Sequence, residues 1–154
     1  MRYLIIVRGL SGSGKTTAAG LLDGPCFSAD DYFMRGGEYH FDPRLLPEAH
    51  AQCQLLTKES LSSGQPITVV ANTFSSRWEM QPYFDLARHA GVRVTVLDIF
   101  DGGMTNQELF EQNVHGVPLA TIENMRSRWE HDWKVGNPVP PWERGDDGAA
   151  TTGS

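Results

Sequence analysis

Cysteine is scarce in this chain. Only Cys26 and Cys53 occur, with no C-x-x-C pair. Two thiols do not make a disulfide framework, so both read as reduced core residues of a cytosolic protein. The histidines, at 40, 50, 89, 115 and 131, show no H-x-x-x-H or other ligand spacing, which argues against a zinc site. Long hydrophobic runs are missing too. The N-terminal "YLIIV" is too short for a signal peptide or a membrane span, so no targeting segment and no membrane partner are expected, and the cytoplasm is the default. Positive charge is in short supply: 13 Lys and Arg stand against 19 Asp and Glu, a net charge of −6. That balance excludes a generally basic nucleic-acid coat while leaving room for a local basic groove. No internal repeat is visible. A length of 154 residues implies one domain around one core.

What is present is a regular alternation. "YLIIV" at 3–7 is a β-rich run of the kind buried on both faces of a parallel sheet. A glycine loop follows, then a helix to about Leu22. "CFS" at 26–28 reads as a second strand. Asp42-Pro43 is a helix start with an acid at N-cap and proline at N1, and Pro47 suggests a restart. Ala49, Cys53, Leu56 and Ser60 mark the inner face before Gly64. "ITVVA" at 67–71 is the next strand. Ser76 and Glu79 form a capping box that opens a helix with Met80, Tyr83, Phe84 and Ala87 inward, stopped by Gly91. "VRVTVLDIF" at 92–100 reads as a strand. Thr105 and Glu108 make another capping box for a short helix to Asn113, "HGVP" breaks the chain, and Pro118 starts a last helix with Ile122, Met125 and Trp129 on one side. Trp78, Phe84 and Trp129 are expected in the core. Strands alternating with helices predict an α/β domain with a parallel sheet over 1–135, and the Pro/Gly-rich end from Gly136 to 154 reads as a disordered tail.

The densest chemistry is "GLSGSGKT", Gly9 to Thr16, a full match to G-x-x-x-x-G-K-[ST] between a predicted strand and a predicted helix. Glycines let the backbone curl so that several N–H groups face one anion, and the helix N-terminus adds a favourable dipole. Gly9, Ser11, Gly12, Ser13, Gly14, Lys15, Thr16 and Thr17 are therefore the expected cradle for ATP. Lys15 reaches the β- and γ-phosphates, and the Thr16 hydroxyl ligates Mg²⁺. The motif implies a nucleoside triphosphate and Mg²⁺ and is silent on what receives the phosphate.

Asp30 and Asp31 stand side by side in "FSADDYF". In an open parallel sheet ligands collect at the carboxyl ends of the strands. If "CFS" neighbours the first strand, one of these acids lies near the γ-phosphate, as a base for an attacking hydroxyl or as a magnesium ligand. "SADD" is equally good helix-capping sequence. Position alone leaves both readings open.

Several segments in order, "RGLSGSGKTTAA", "FSADDYF", Tyr39-His-Phe-Asp-Pro43, Ala49-His50, "ANTFSSRWEMQPY" and "NVHGVP", resemble the P-loop polynucleotide kinase family, as found in phage 5′-hydroxyl polynucleotide kinases and their eukaryotic relatives. The resemblance runs from Arg2 to about Trp133. It implies an adenylate-kinase-like three-layer P-loop NTPase with a parallel sheet and a small helical lid. It also implies ATP-dependent phosphate transfer to a hydroxyl, with Asp30 as general base and Asp31 in a structural or capping part. Asn72 and Thr73 fall where that family lines its acceptor pocket. Tyr32 and Phe33 follow the base directly and are candidates to stack on a nucleobase, with core packing as the equal alternative.

The chain departs from the family in two places. Ala71 stands where relatives usually have Asp, and Gln112 stands where they carry a lid arginine that stabilises the transferring group. Arg126 or Arg128 on the last helix, Arg35 and Arg77 are the candidates to replace that charge. The expected acceptor is on nucleic acid, DNA ahead of RNA, first a polynucleotide 5′-hydroxyl and second the hydroxymethyl group of 5-hydroxymethyluracil in DNA, as in small phage kinases. A sugar or nucleoside kinase and a nucleotide-binding adaptor without phosphotransfer are the remaining alternatives. No obligate protein partner is called for.

Overall fold

A computed structural model describes residues 1–113 and 115–145. Its sheet has four parallel strands. β1 (Tyr3–Arg8) lies at the centre, β5 (Ile67–Asn72) and β6 (Arg93–Asp98) flank it, and β2 (Cys26–Phe27) pairs outside β5. Ile6 is in register with Val70 on one side and Val96 on the other. Leu4, Ile6 and Val70 point to one face of the sheet. There they meet Cys53 and Leu61 of α2 (Leu46–Ser62) and Met80, Tyr83 and Ala87 of α3 (Arg77–Ala90). Val7, Val69 and Ala71 point to the other face and pack on Ala19 of α1 (Lys15–Gly20). The alternating pleat thus feeds two cores and gives three layers.

A third cluster joins the glycine loop to the last two helices: Leu10 packs with Leu109 of α4 (Asn106–Gln112) and Ile122 of α5 (Leu119–Ser127). A fourth holds the segment after β2 against α2 through Ala29, Phe33 and Ala49. Among the described residues no helix is long and apolar enough to cross a membrane.

The structure shortens several expected elements. α1 stops at Gly20, and β6 ends at Asp98 because the chain turns into the 99–105 loop. β2 loses Ser28, whose side chain is taken as a cap. Asp42-Pro43 opens a 3₁₀ turn over Pro43–Leu45, with Asp42 accepting from the Arg44 N–H, and α2 proper begins at Leu46. Gly91, at φ 68°, ends α3 while Val92 donates back to the Ala87 carbonyl (2.9 Å). That is a left-handed C-terminal stop of the kind glycine permits. Between β2 and α2 lies a feature with no expected counterpart, an antiparallel hairpin of β3 (Met34–Arg35) and β4 (Glu38–Tyr39). It closes through Gly36 and Gly37, at φ 58° and 83°. Trp78 is half-buried rather than core, edge-on to Trp142 at 5.1 Å between ring centres. Of the tail expected to lack order from Gly136, residues as far as 145 are described and include a 3₁₀ turn at Pro141–Glu143; 146–154 lie outside the described residues.

Candidate functional site

The glycine loop leaves the carboxyl end of β1 and returns as α1. Gly12 and Gly14 take φ 86° and 96°, which side-chain-bearing residues rarely adopt. The Gly14 carbonyl accepts the first helical bond, from Ala18 N–H (3.0 Å). Among the described residues nothing lies within 4 Å of where a Gly14 side chain would begin, so the loop is open on that side. At Gly12 a side chain would run into the Leu109 carbonyl of α4. The Ser13 hydroxyl is buried without a partner among the described residues. Among the described residues Lys15 Nζ reaches only the Gly9 carbonyl, at 3.4 Å. Burial pulls its ammonium below the ordinary lysine value, and the Asp30 carboxylate pushes it back up. Ser11 is half-buried, and Thr16 and Thr17 are exposed at the start of α1. An orphaned hydroxyl, an open backbone cradle and a desolvated ammonium together suit a polyphosphate.

The acid pair sits on a 3₁₀ turn, Ala29–Phe33, and divides its work. Ser28 caps the turn, and its backbone N–H donates to Asp31 Oδ2 (3.1 Å), closing a capping box. Desolvation raises the Asp31 carboxyl while that N–H and His115 lower it. Asp30 is the acid left for other partners. Its side chain is 40% exposed, Oδ1 accepts from the Tyr39 hydroxyl at 2.8 Å, and Oδ2 lies 3.8 Å from His115 Nε2. Burial and the neighbouring Asp30 both raise the Tyr39 phenol, so it stays a proton donor. Asn72, at the end of β5, is buried. Its Oδ1 accepts from the Ala29 N–H (2.9 Å) and the Ser28 hydroxyl (3.3 Å), so its amide anchors the turn that carries Asp30.

The remaining residues singled out from sequence are spread around this centre. Thr73 is half-buried, and its carbonyl accepts from Gly9 N–H (3.3 Å). Tyr32 turns to α2, its hydroxyl donating to Glu48 (2.7 Å), and Phe33 is 2% exposed, too buried to offer a face. Arg35 stands exposed on the hairpin, in register with Glu38. Arg77 donates to the Lys134 and Gly136 carbonyls (2.8 and 3.1 Å), away from the loop. Arg128 Nε donates to Ser75 Oγ (3.2 Å). Arg126 pairs with Asp101 (2.9 Å) and donates to Asn106 and the Met104 carbonyl, bracing the segment that leads into α4. It also lines a cavity of about 390 Å³ beside the glycine loop, with Leu10, Asp98, Phe100, Trp129 and His131. Ala71 packs into the core on α1's face, so β5 offers no carboxylate there.

Sequence reasoning missed Arg8. Its guanidinium is wholly buried at the end of β1, donating to the Phe74 and Ser75 carbonyls (2.9 and 3.2 Å) and to Asp98 (2.9 Å), with the Trp129 ring 4.2 Å away. Burial lowers its pKa, and Asp98 counters that. Phe74 holds a positive φ of 49°, and the Arg8 bond to its carbonyl fixes that strained loop. An arginine closing an otherwise apolar strand was the available signal. Tyr39 was also missed as a partner of Asp30, and Phe41 as the ring parallel to Tyr39; the Gly36-Gly37 turn was the clue that the chain doubles back there.

Residues 4–131 match a family model described as an AAA domain. Human NEDD4-binding protein 2 is 33% identical over 133 residues, 82% of this chain and 8% of the human protein's length. The chain therefore spans a small part of that relative. Among solved structures, a chain of the Pnkp1/Rnl/Hen1 RNA repair complex superposes with a TM-score of 0.66 at 16% identity, covering 90% of this chain and 47% of the other. A kinase candidate from Chloroflexus aurantiacus gives 0.64 at 20%, covering 97% and 95%. Chaetomium thermophilum Kti12 in complex with ADP-AlF3 gives 0.58 at 17%, covering 96% and 94%. The fold is the kinase-like P-loop fold, a parallel sheet flanked by helices.

Proposed function

The chain belongs to this AAA domain family, and from that premise we propose that it is an ATP-dependent kinase acting on a hydroxyl of nucleic acid, first a polynucleotide 5′-hydroxyl. The observation that supports the reading above all is that the neighbouring acids are divided: the Asp31 carboxylate is taken by the Ser28 N–H as a cap, while the part-exposed Asp30 carboxylate is held by the Tyr39 hydroxyl and left free for an acceptor. The RNA-repair complex among the structural neighbours agrees in fold.

The backbone of Gly12 to Gly14, the Ser13 hydroxyl and Lys15 hold the polyphosphate, and the cavity lined by Leu10, Phe100 and Trp129 receives the nucleoside end. The Thr16 hydroxyl, exposed at the start of α1, would hold Mg²⁺, which would supply charge neutralisation on the phosphates. The acceptor hydroxyl gives its proton to the free edge of Asp30. Its oxygen bonds to the γ-phosphorus as the bond to the β-phosphate oxygen breaks, leaving ADP and a phosphomonoester. Tyr39 and His115 hold the carboxylate in place, and Lys15 supports the transferring charge. A reaction spending ATP fits a cytoplasmic setting.

The test uses γ-labelled ATP, Mg²⁺ and two DNA duplexes, one with free 5′-hydroxyl ends and ordinary bases, the other with blocked ends and internal 5-hydroxymethyluracil. Label on the first, lost by roughly a hundredfold or more in Asp30→Asn, is the expected result. Label on the second alone moves the acceptor to the base. ATP consumption with label on neither overturns the nucleic-acid reading.

A further inference from the structure

Three rings form a run beside Asp30. Tyr39, whose hydroxyl donates to that carboxylate, has its ring centre 4.5 Å from that of His115 and 6.2 Å from that of Phe41. The Tyr39 and Phe41 planes lie within 11° of each other. Phe33 underpins both from the core, edge-on to Phe41 at 5.2 Å and to Tyr39 at 6.0 Å. Phe33 is buried, whereas Phe41 is 47% exposed. A lone exposed phenylalanine needs no explanation. This one is held by a buried ring, parallel to a tyrosine bonded to the candidate base. Of the cations along the same stretch, Arg44 is paired with Asp42 at 2.8 Å, and Arg35 stands exposed on the hairpin with Glu38 opposite it in register. Around Phe41 this side of the site offers a ligand flat apolar surface.

We propose that Tyr39, Phe41 and His115 form a stacking platform for the nucleobase of the nucleotide that carries the acceptor hydroxyl. The inference rests on the kinase reading of the same site and adds the group by which the acceptor is recognised. Any base presents a π face, so such a platform holds an end without reading its sequence. Stacking sets the acceptor's position while the Tyr39 hydroxyl orients Asp30. Tyr39 is thus a positioning residue, and Phe41 acts on binding alone.

The experiment compares a single-stranded oligonucleotide ending in a 5′-hydroxyl thymidine with the same strand ending in an abasic 5′ nucleotide. Steady-state phosphorylation and anisotropy of the 3′-labelled strands are both read. In the wild type, loss of the base raises KM and weakens binding about tenfold, the scale of one stacked base. Phe41→Ala raises KM for the intact end by a similar factor, leaves kcat within about twofold and abolishes the difference between the two strands. Phe41→Leu, which keeps apolar bulk against Phe33, gives the same result if the alanine variant fails to fold. Tyr39→Phe keeps the discrimination and lowers kcat. Equal KM and equal binding for the two strands in the wild type overturn the platform while leaving the kinase reading intact, as does discrimination that survives in Phe41→Leu. Base-dependent binding lost in Phe41→Leu, with no label on either strand, sinks the 5′-kinase reading and keeps the platform. No phosphorylation and no base-dependent binding overturn both.

Discussion

At the residue scale the centre of the molecule is Arg8. One guanidinium ties the β5–α3 loop, the end of β1 and the end of β6 at the point where the glycine loop begins. Replacing it with methionine leaves the Phe74 and Ser75 carbonyls without a donor in a buried place, a loss on the order of 3 kcal/mol. Arg8→Met should therefore lower the melting temperature by roughly 6–12 °C for a domain of this size. Arg8→Lys should recover only part of that, because an ammonium lacks the fork that serves three acceptors at once. A melting temperature within about 2 °C of wild type would refute the clamp. The contrast with Asp30 shows what was legible at this scale. Asp30 was found through the motif around it, whereas Arg8 bonds backbone carbonyls of residues 74 and 75, and a carbonyl leaves no mark in the residue code. Asn72 stood out for its place after a strand, but the use of its amide on the Ser28–Ala29 turn depends on a contact more than forty residues distant in sequence.

At the scale of elements the strands of the parallel sheet and the two long helices were readable because each helix carries its own period and its own stop: Gly64 after α2, Gly91 after α3, the Ser76–Glu79 box before α3. The 34–39 hairpin was not, since two strands of two residues are too short to show alternation, and only Gly36-Gly37 announces them. The glycine loop permits a sharper test, because its two left-handed glycines face different surroundings. A methyl at Gly12 meets the α4 backbone, so Gly12→Ala adds a steric collision to the conformational penalty. A methyl at Gly14 meets none of the described residues and carries only the penalty of roughly 1–2 kcal/mol. Gly12→Ala should melt measurably below Gly14→Ala, with α4 displaced from the loop. Both should bind ATP more weakly, Gly14→Ala while keeping most of its stability. Equal melting temperatures in the two variants would show that α4 does not rest on the loop in solution.

At the scale of the whole molecule, an acidic protein of net charge −6 has to attract an anion more highly charged than most metabolites. Local desolvated charge has to do this, and Lys15 is its main source in the cradle. Because burial lowers the folded Lys15 below its ordinary value of 10.5, the free protein sheds that proton earlier than an exposed lysine as pH rises. The sign for stability follows: the fold bears the cost of a buried ammonium in full at neutral pH, and the cost is relieved as pH climbs through the lowered value. Nucleotide binding runs the opposite way, since a bound polyphosphate stabilises the ammonium. ATP affinity should therefore fall as pH rises toward the ordinary lysine value of 10.5, and binding at the alkaline end should take up protons, read as a heat that depends on the buffer's ionisation enthalpy. Asp30 opposes the lowering, so in Asp30→Asn the fall should begin at lower pH, while Lys15→Arg should stay flat through the range. Affinity that holds constant to the alkaline end with no proton uptake would mean that Lys15 is as well solvated as a surface lysine, and that the electrostatic basis of the cradle lies in the backbone alone.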